Sequence, residues 1–270
     1  MKKILAGLLL GLLLAHDAVI QAARTFSADA SHFVQYAAYT TNHTSTTWSI
    51  WVYRTGAGGT GFGRIWFKGS TSIDGRFFNN GANYDFDRES STTDGHWAMT
   101  RPSDSVWHNI VITYDSSALA NDPIFYVDGS SVSPVAGEAN PTGTISNNSQ
   151  GYEVGNFHNG GSPTQNFGGS LAEFAVWDVI LSAGEILSVA RGTSPLDIRY
   201  ANLKLYAPLS GLHAWEPDFG STKAAGDVNG ATATAHHPPV QSIFWNYGAQ
   251  NNDVSAGGVA PFIYLQRRRR

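Results

Sequence analysis

The chain has no cysteine. That excludes a disulfide scaffold, a thiolate zinc site and a cysteine nucleophile. Charge is scarce too: 14% of the 270 residues are charged, and the formal net charge is −4. With low charge and 12% aromatic residues, the composition is not that of a disordered chain. No heptad pattern runs through it, which excludes a coiled coil. No apolar run reaches the ~18 residues that a membrane helix needs. There is no G-x-S-x-G, H-E-x-x-H or Walker signature, so no motif announces a nucleophile with its base or a phosphate cradle. What the chain does have is 29 Gly, 8 Trp, 11 Tyr and 14 Phe, with many Ser, Thr and Val. These residues suit pleated strands and tight turns.

The two ends differ from the rest. Met1-Lys2-Lys3 precedes the apolar run Ile4 to Ala15. A basic start and about a dozen apolar residues form a secretory leader, with Ala22 and Ala23 offering the cleavage site. The competing reading is an uncleaved helix packed on a partner. Residues 1–22 are therefore expected to be a signal peptide, and the protein to be secreted or extracellular. At the other end stand Arg267, Arg268, Arg269 and Arg270. Without these, Lys2 and Lys3, 11 basic residues remain; without Asp17, 20 acidic ones remain, so the body carries about −9. An acidic body lacks the basic face that nucleic-acid binding needs, so no nucleic acid is expected on the main domain. The tail reads either as a solvated end or as an assembly contact through Arg267–Arg270.

Between the ends, short strand patterns alternate with turn signals. Thr47–Tyr53, Gly63–Lys68, Trp107–Asp115, Pro123–Val127, Gly151–Gly155 and Ser170–Trp177 read as strands. Within Trp107–Asp115, side chains of His108, Ile110, Ile112 and Tyr114 share one face. Asp128-Gly129 is a hairpin-turn dipeptide. Ser182-Ala183-Gly184-Glu185 is a capping box, so one helix starts there, and Gly192 stops it. Ala201–Leu209 reads as one more strand. Many short strands of this kind predict an all-β fold, a two-sheet antiparallel sandwich. Residues 23–209 would form it, 210–258 a loop-rich extension packing on or trailing it, and 259–270 an apolar then tetra-arginine tail.

Three stretches carry a family resemblance. They are Trp48–Tyr53; Trp107–Asp115 with Phe125-Tyr126-Val127-Asp128-Gly129; and Phe167–Asp178 with Leu181–Ile186. In this order they resemble the core motifs of laminin-G-like, concanavalin A-like jelly-roll domains, the group that includes pentraxins. Arg24-Thr25-Phe26 with Phe33–Tyr36 resembles the opening strand. The resemblance implies a jelly roll whose ligands bind at rim loops or on the concave face. It does not name a ligand. Trp107 and Trp177 are expected as core plugs, and Asp128-Gly129 as turn chemistry.

Two groups of residues are candidates for function. Asp85, Asp87 and Glu89 would share one face of a strand. They read as a solvated loop following Asn79–Asn83, as a calcium site, or as a glycosidase acid and nucleophile pair. The D-x-D-x-E order departs from the E-x-D-x-x-E array of jelly-roll glucanases, which argues against hydrolysis. The second group is Tyr84, His96, Trp97, Asn156, His158 and Asn159, where aromatic rings lie beside hydrogen-bonding side chains, as sugar sites require. The expected function is a non-catalytic, exported recognition module for glycans or a surface protein. The alternatives are a structural or decoration subunit of a phage particle or surface assembly and, third, a glycoside hydrolase. No cofactor is required, with calcium the one candidate.

Overall fold

Alternation sets the architecture. In β3 (Ser45–Arg54), Trp48, Ile50 and Val52 are buried in the main core, while Trp51 turns to the opposite face. In β8 (Trp107–Asp115), Ile110, Ile112 and Tyr114 enter the same core. β3 and β8 pair antiparallel, with Ile50 opposite Ile110 and Trp48 opposite Ile112. Branched and aromatic side chains directly across a sheet are the unit of its stability.

The computed structural model describes residues 22–27, 32–37, 44–69, 73–135, 137–146, 150–157 and 165–240. The leader, the tail, His158 and Asn159 lie outside them. The remaining strands in chain order are β1 (Ala23–Phe26), β2 (Phe33–Gln35), β4 (Arg64–Gly69), β5 (Ile73–Asn80), β6 (Asn83–Arg88), β7 (Gly95–Thr100), β9 (Ile124–Val127), β10 (Ser130–Val132), β11 (Tyr152–Val154), β12 (Gly169–Trp177), β13 (Leu203–Ala207), β14 (Trp215–Glu216), β15 (Gly226–Asn229) and β16 (Thr232–Thr234). One sheet runs β10-β9-β8-β3-β12-β1-β16, with β13 also on β12. The second runs β14-β15-β2-β11-β4-β5-β6-β7. All their pairings are antiparallel, which confirms the expected two-sheet sandwich.

Between the sheets lies an aromatic core. Trp66 stacks on Trp48, with ring centroids 5.4 Å apart, and Phe86, Trp97 and Phe174 complete the layer. Trp48 Nε1 donates to the Tyr152 hydroxyl at 2.7 Å, so the buried indole keeps a partner. The helix α1 (Ala183–Ala190) carries the expected capping box: Ser182 N–H donates to Glu185 Oε2 at 2.9 Å, and Ser182 Oγ accepts from Glu185 N–H. Ile186 and Val189 are its buried side.

Three expectations are corrected here. Trp177 is fully buried, as expected, and its indole N–H donates to Ile198 O. Trp107 is not in that core: it sits half-buried on the outer face of the first sheet, packed with Tyr53 and His236. Asp85 and Asp87 do not lie in a solvated loop but are buried in β6, and Asn79–Asn83 before them is the ends of β5 and β6 around a tight turn. Residues beyond Leu209 are not merely loop: β14 and β15 extend the second sheet and β16 the first. Arg24 explains why such short strands hold. Its Nε lies 2.6 Å from Glu216 Oε1, and its Nη1 and Nη2 donate to Ala231 O and His213 O at 2.8 and 2.7 Å. The pair links β1 to the segment that follows β13, with both side chains almost wholly buried.

A second buried acid makes stability depend on pH. Glu173 sits in β12 with φ 54°, where the pairing of β12 with β3 shifts register. Its Oε2 accepts from the Tyr206 hydroxyl at 2.5 Å. Burial pushes its carboxyl up to about 7, aided by the charge of Glu216 and opposed by the Tyr206 hydrogen bond. An acid whose pKa is raised on folding binds its proton more tightly in the folded chain. Its contribution is therefore full below about pH 4.5 and falls progressively as pH rises to about 7. Glu173→Gln removes this dependence while keeping an acceptor for Tyr206. The expected result is a melting temperature above wild type at pH 8 and close to it at pH 4. Thermal melts at the two pH values check it.

Candidate functional site

On the outer face of the second sheet three of the candidate residues meet, Asp85, Asp87 and His96. On β5, β6 and β7, Phe77, Phe86 and Trp97 enter the core, so their neighbours in sequence point outward. Strand pairing aligns these neighbours in two rows. One row is Phe67, Arg76, Asp87 and His96; the other is Arg64, Phe78, Asp85 and Ala98.

The first row is a chain of polar contacts. Arg76 Nε donates to Asp87 Oδ2 at 2.6 Å, and His96 Nδ1 lies 2.6 Å from Asp87 Oδ1. The His96 side chain is 42% exposed and that of Arg76 28%, so both present hydrogen-bonding edges to solvent. The second row is drier. Asp85 takes a hydrogen bond from Asn80 Nδ2 at 2.6 Å, while its Oδ1 is buried without a partner. Burial raises its carboxyl above the ordinary Asp range, against the Asn80 bond and the His96 ring, which lower it. The Arg64 guanidinium lies over the Phe78 ring at 4.1 Å. Burial and the neighbouring Arg76 bring Arg64 down to about 9. Phe62, 41% exposed, packs at the edge of Phe78 with ring centroids 6.3 Å apart.

Asp85 and Asp87 thus share a face, as strand periodicity requires. Glu89 does not extend the row: β6 ends at Arg88, and the Glu89 backbone bonds to Asp74 O and Ser146 N–H. Among the described residues no three His, Asp or Glu side chains come together as a metal site. The partners of Asp85 and Asp87 are an amide, a guanidinium and an imidazole.

The aromatic candidates do not stand on this surface. Tyr84 and Trp97 are 2% and 0% exposed and belong to the core, where a sugar ring cannot reach them. Trp97 packs on Phe86 and Tyr114, and its indole N–H donates to Asp122. Asn156 is also fully buried; its Oδ1 accepts from Phe157 N–H at 2.7 Å. His96 is the one described member of that group which remains on the surface. Arg64, Arg76, Phe78 and Asn80 were not among the sequence candidates. For the last three the signal was the alternation Arg76-Phe77-Phe78-Asn79-Asn80, with Phe77 and Asn79 turned inward and Arg76, Phe78 and Asn80 on the outer face.

The family model described as "Concanavalin A-like lectin/glucanases superfamily", of the laminin G type, matches residues 28–187. The chain belongs to this family. Among solved structures, this laminin-G-like chain is similar to a Bacteroides ovatus protein named "putative carbohydrate binding protein", with a TM-score of 0.58 and 17% identity. The match covers 82% of this chain and 62% of that longer one. A heptameric SAP-like pentraxin from Limulus polyphemus matches at a TM-score of 0.45 and 12% identity, over 63% of this chain and 82% of its own. Domains LG4-5 of mouse laminin α1 match at 0.44 and 14%, over 59% of this chain and 41% of theirs. No curated protein matches in sequence. At 17% identity the Bacteroides ovatus structure shows the fold alone. Among the described residues no helix is long and apolar enough to cross a membrane.

Proposed function

We propose that this laminin-G-like chain is an exported module whose second sheet binds a glycan on its outer face, and that this face itself does no chemistry on the ligand. The observation that carries the reading is the row Arg76–Asp87–His96, in which donors and acceptors alternate on an accessible sheet face. Sugar hydroxyls both donate and accept, so such a row can bond adjacent hydroxyls of one ring. Phe62 at the edge offers an apolar contact for the ring's C–H face. Arg76, held by Asp87, and His96, held by the same carboxylate, are preorganised, so binding orders few rotamers. Similarity to the Bacteroides ovatus protein supports carbohydrate as the ligand class.

A glycan array with the full chain tests this. Binding to a defined subset of glycans is expected, and His96→Ala should weaken it about tenfold, the loss of one or two hydrogen bonds. An array without any bound glycan would overturn the reading. Binding should also survive a calcium chelator, because Arg76, His96 and Asn80 already hold the two carboxylates. Loss of binding in chelator would instead return calcium to Asp85 and Asp87.

A further inference from the structure

A second constellation lies away from that face, where the loop between β7 and β8 meets the turn between β9 and β10. His108 Nε2 is 3.1 Å from Ser103 Oγ, and His108 Nδ1 is 2.7 Å from Asp128 Oδ2. Asp128 Oδ1 accepts the backbone N–H of Asn109 at 2.9 Å. The fold holds all three. Pairing of Ile110 with Val127 brings the turn beside His108, and Asp128 N–H donates to Asn109 O at 2.8 Å. The turn itself needs left-handed backbone at Asp128 and Gly129, φ 51° and 82°, which this dipeptide tolerates. The Ser103 loop is anchored by the Arg54–Asp104 ion pair at 2.5 Å and by Ser105 N–H on Arg54 O at 2.8 Å.

The connectivity has chemical meaning. A carboxylate at Nδ1 selects the tautomer with its proton there, leaving the Nε2 lone pair to accept from a hydroxyl. That is the relation of acid, base and nucleophile in serine acyl transfer. We propose that Ser103 is a nucleophile activated by His108 and oriented through Asp128, acting on small acyl esters. Ser103 is exposed and the His108 side chain is only 15% exposed, so the nucleophile is reachable while its base is sheltered. Among the described residues, neither Ser103 nor Asp104 donates a backbone–backbone hydrogen bond, so both N–H groups are open to an oxyanion.

The step balances without a further reactant besides water. Oγ attacks the ester carbonyl carbon as its proton passes to Nε2. The C–O bond to the alcohol breaks, and the alkoxide leaves with that proton. Water then gives a proton to Nε2 and adds to the acyl carbon. Ser103 leaves with the proton, and a carboxylic acid is released. Because Ser103 sits on an exposed loop, its substrate class is a short acyl ester displayed on a large molecule. The O-acetyl group of a polysaccharide fits, and for the alcohol part alone this rests on the glycan reading above.

The test uses the full chain with a fluorophosphonate probe and with p-nitrophenyl acetate. Expected are covalent labelling at Ser103, found by peptide mass spectrometry, and acetate ester hydrolysis above the buffer rate. Ser103→Ala should abolish both while keeping the melting temperature and glycan binding of wild type. His108→Gln should slow labelling about 100-fold, the worth of a general base. Asp128→Asn should slow it too. Labelling equal in wild type and Ser103→Ala, or labelling of Ser103 that ignores His108→Gln in a variant that melts like wild type, would overturn the proposal. Neither readout requires a bound glycan, so this outcome is separable from failure of the binding reading.

Discussion

Arg24→Ala is expected to destabilise the protein by about 3–5 kcal/mol, the usual cost of stripping one partner from a buried ion pair. Three interactions go at once: the ion pair with Glu216 and the bonds to Ala231 O and His213 O. Glu216 is left buried, with the Gly211 N–H on Oε1 and the Ser210 backbone as its remaining partners. For a domain of this size the melting temperature should drop on the order of 10 °C. The loss should be larger at pH 8 than at pH 5, because burial already raises the Glu216 carboxyl and removal of the Arg24 charge raises it further. Pairing the change with Glu216→Leu should recover much of the stability, since replacing both charges by apolar groups leaves none unpaired. Denaturant titrations of the single and double variants check this. A near-neutral Arg24→Ala would mean that β14–β16 are not held to the sandwich as described.

Trp97→Ala should cost about 3–5 kcal/mol as well, for a different reason. The ring is wholly buried against Phe86 and Tyr114, and its removal opens a cavity. The measurement separates two roles. A core Trp97 lowers the melting temperature sharply; a sugar platform would leave the melt unchanged and remove glycan binding. The buried geometry predicts the first.

The contrast between Trp97 and His96 shows what could be read from residue order. Strand positions around Trp48, Ile110 and Val176 were legible because apolar residues alternate there and one face enters the core. The helix was legible because Ser182 and Glu185 form a local cap. Which face of β7 is inward was not legible. Gly95-His96-Trp97-Ala98-Met99 offers either an exposed Trp beside a His or a buried Trp beside an exposed one, and only the pairing of Phe86 with Trp97 decides. The strands after Leu209 were hidden for a similar reason. They span two to four residues, too few for a period, and depend on an ion pair 192 residues apart in sequence. Asp85 and Asp87 were found by their spacing, yet their partners Arg76, Asn80 and His96 come from neighbouring strands that spacing cannot align.

The same row carries the central claim, that the outer face of the second sheet holds the ligand. Asp87 is its hub, since both Arg76 and His96 rest on it. The most direct measurement is a calorimetric titration of wild type and Asp87→Asn with a glycan selected on the array, alongside thermal melts. The account predicts a wild-type melt within a few degrees, because the Arg76 and His96 partners are partly exposed and such pairs are each worth roughly 1 kcal/mol or less. It also predicts affinity reduced at least about tenfold. Unchanged affinity in a folded Asp87→Asn protein would contradict it and move the ligand to another surface.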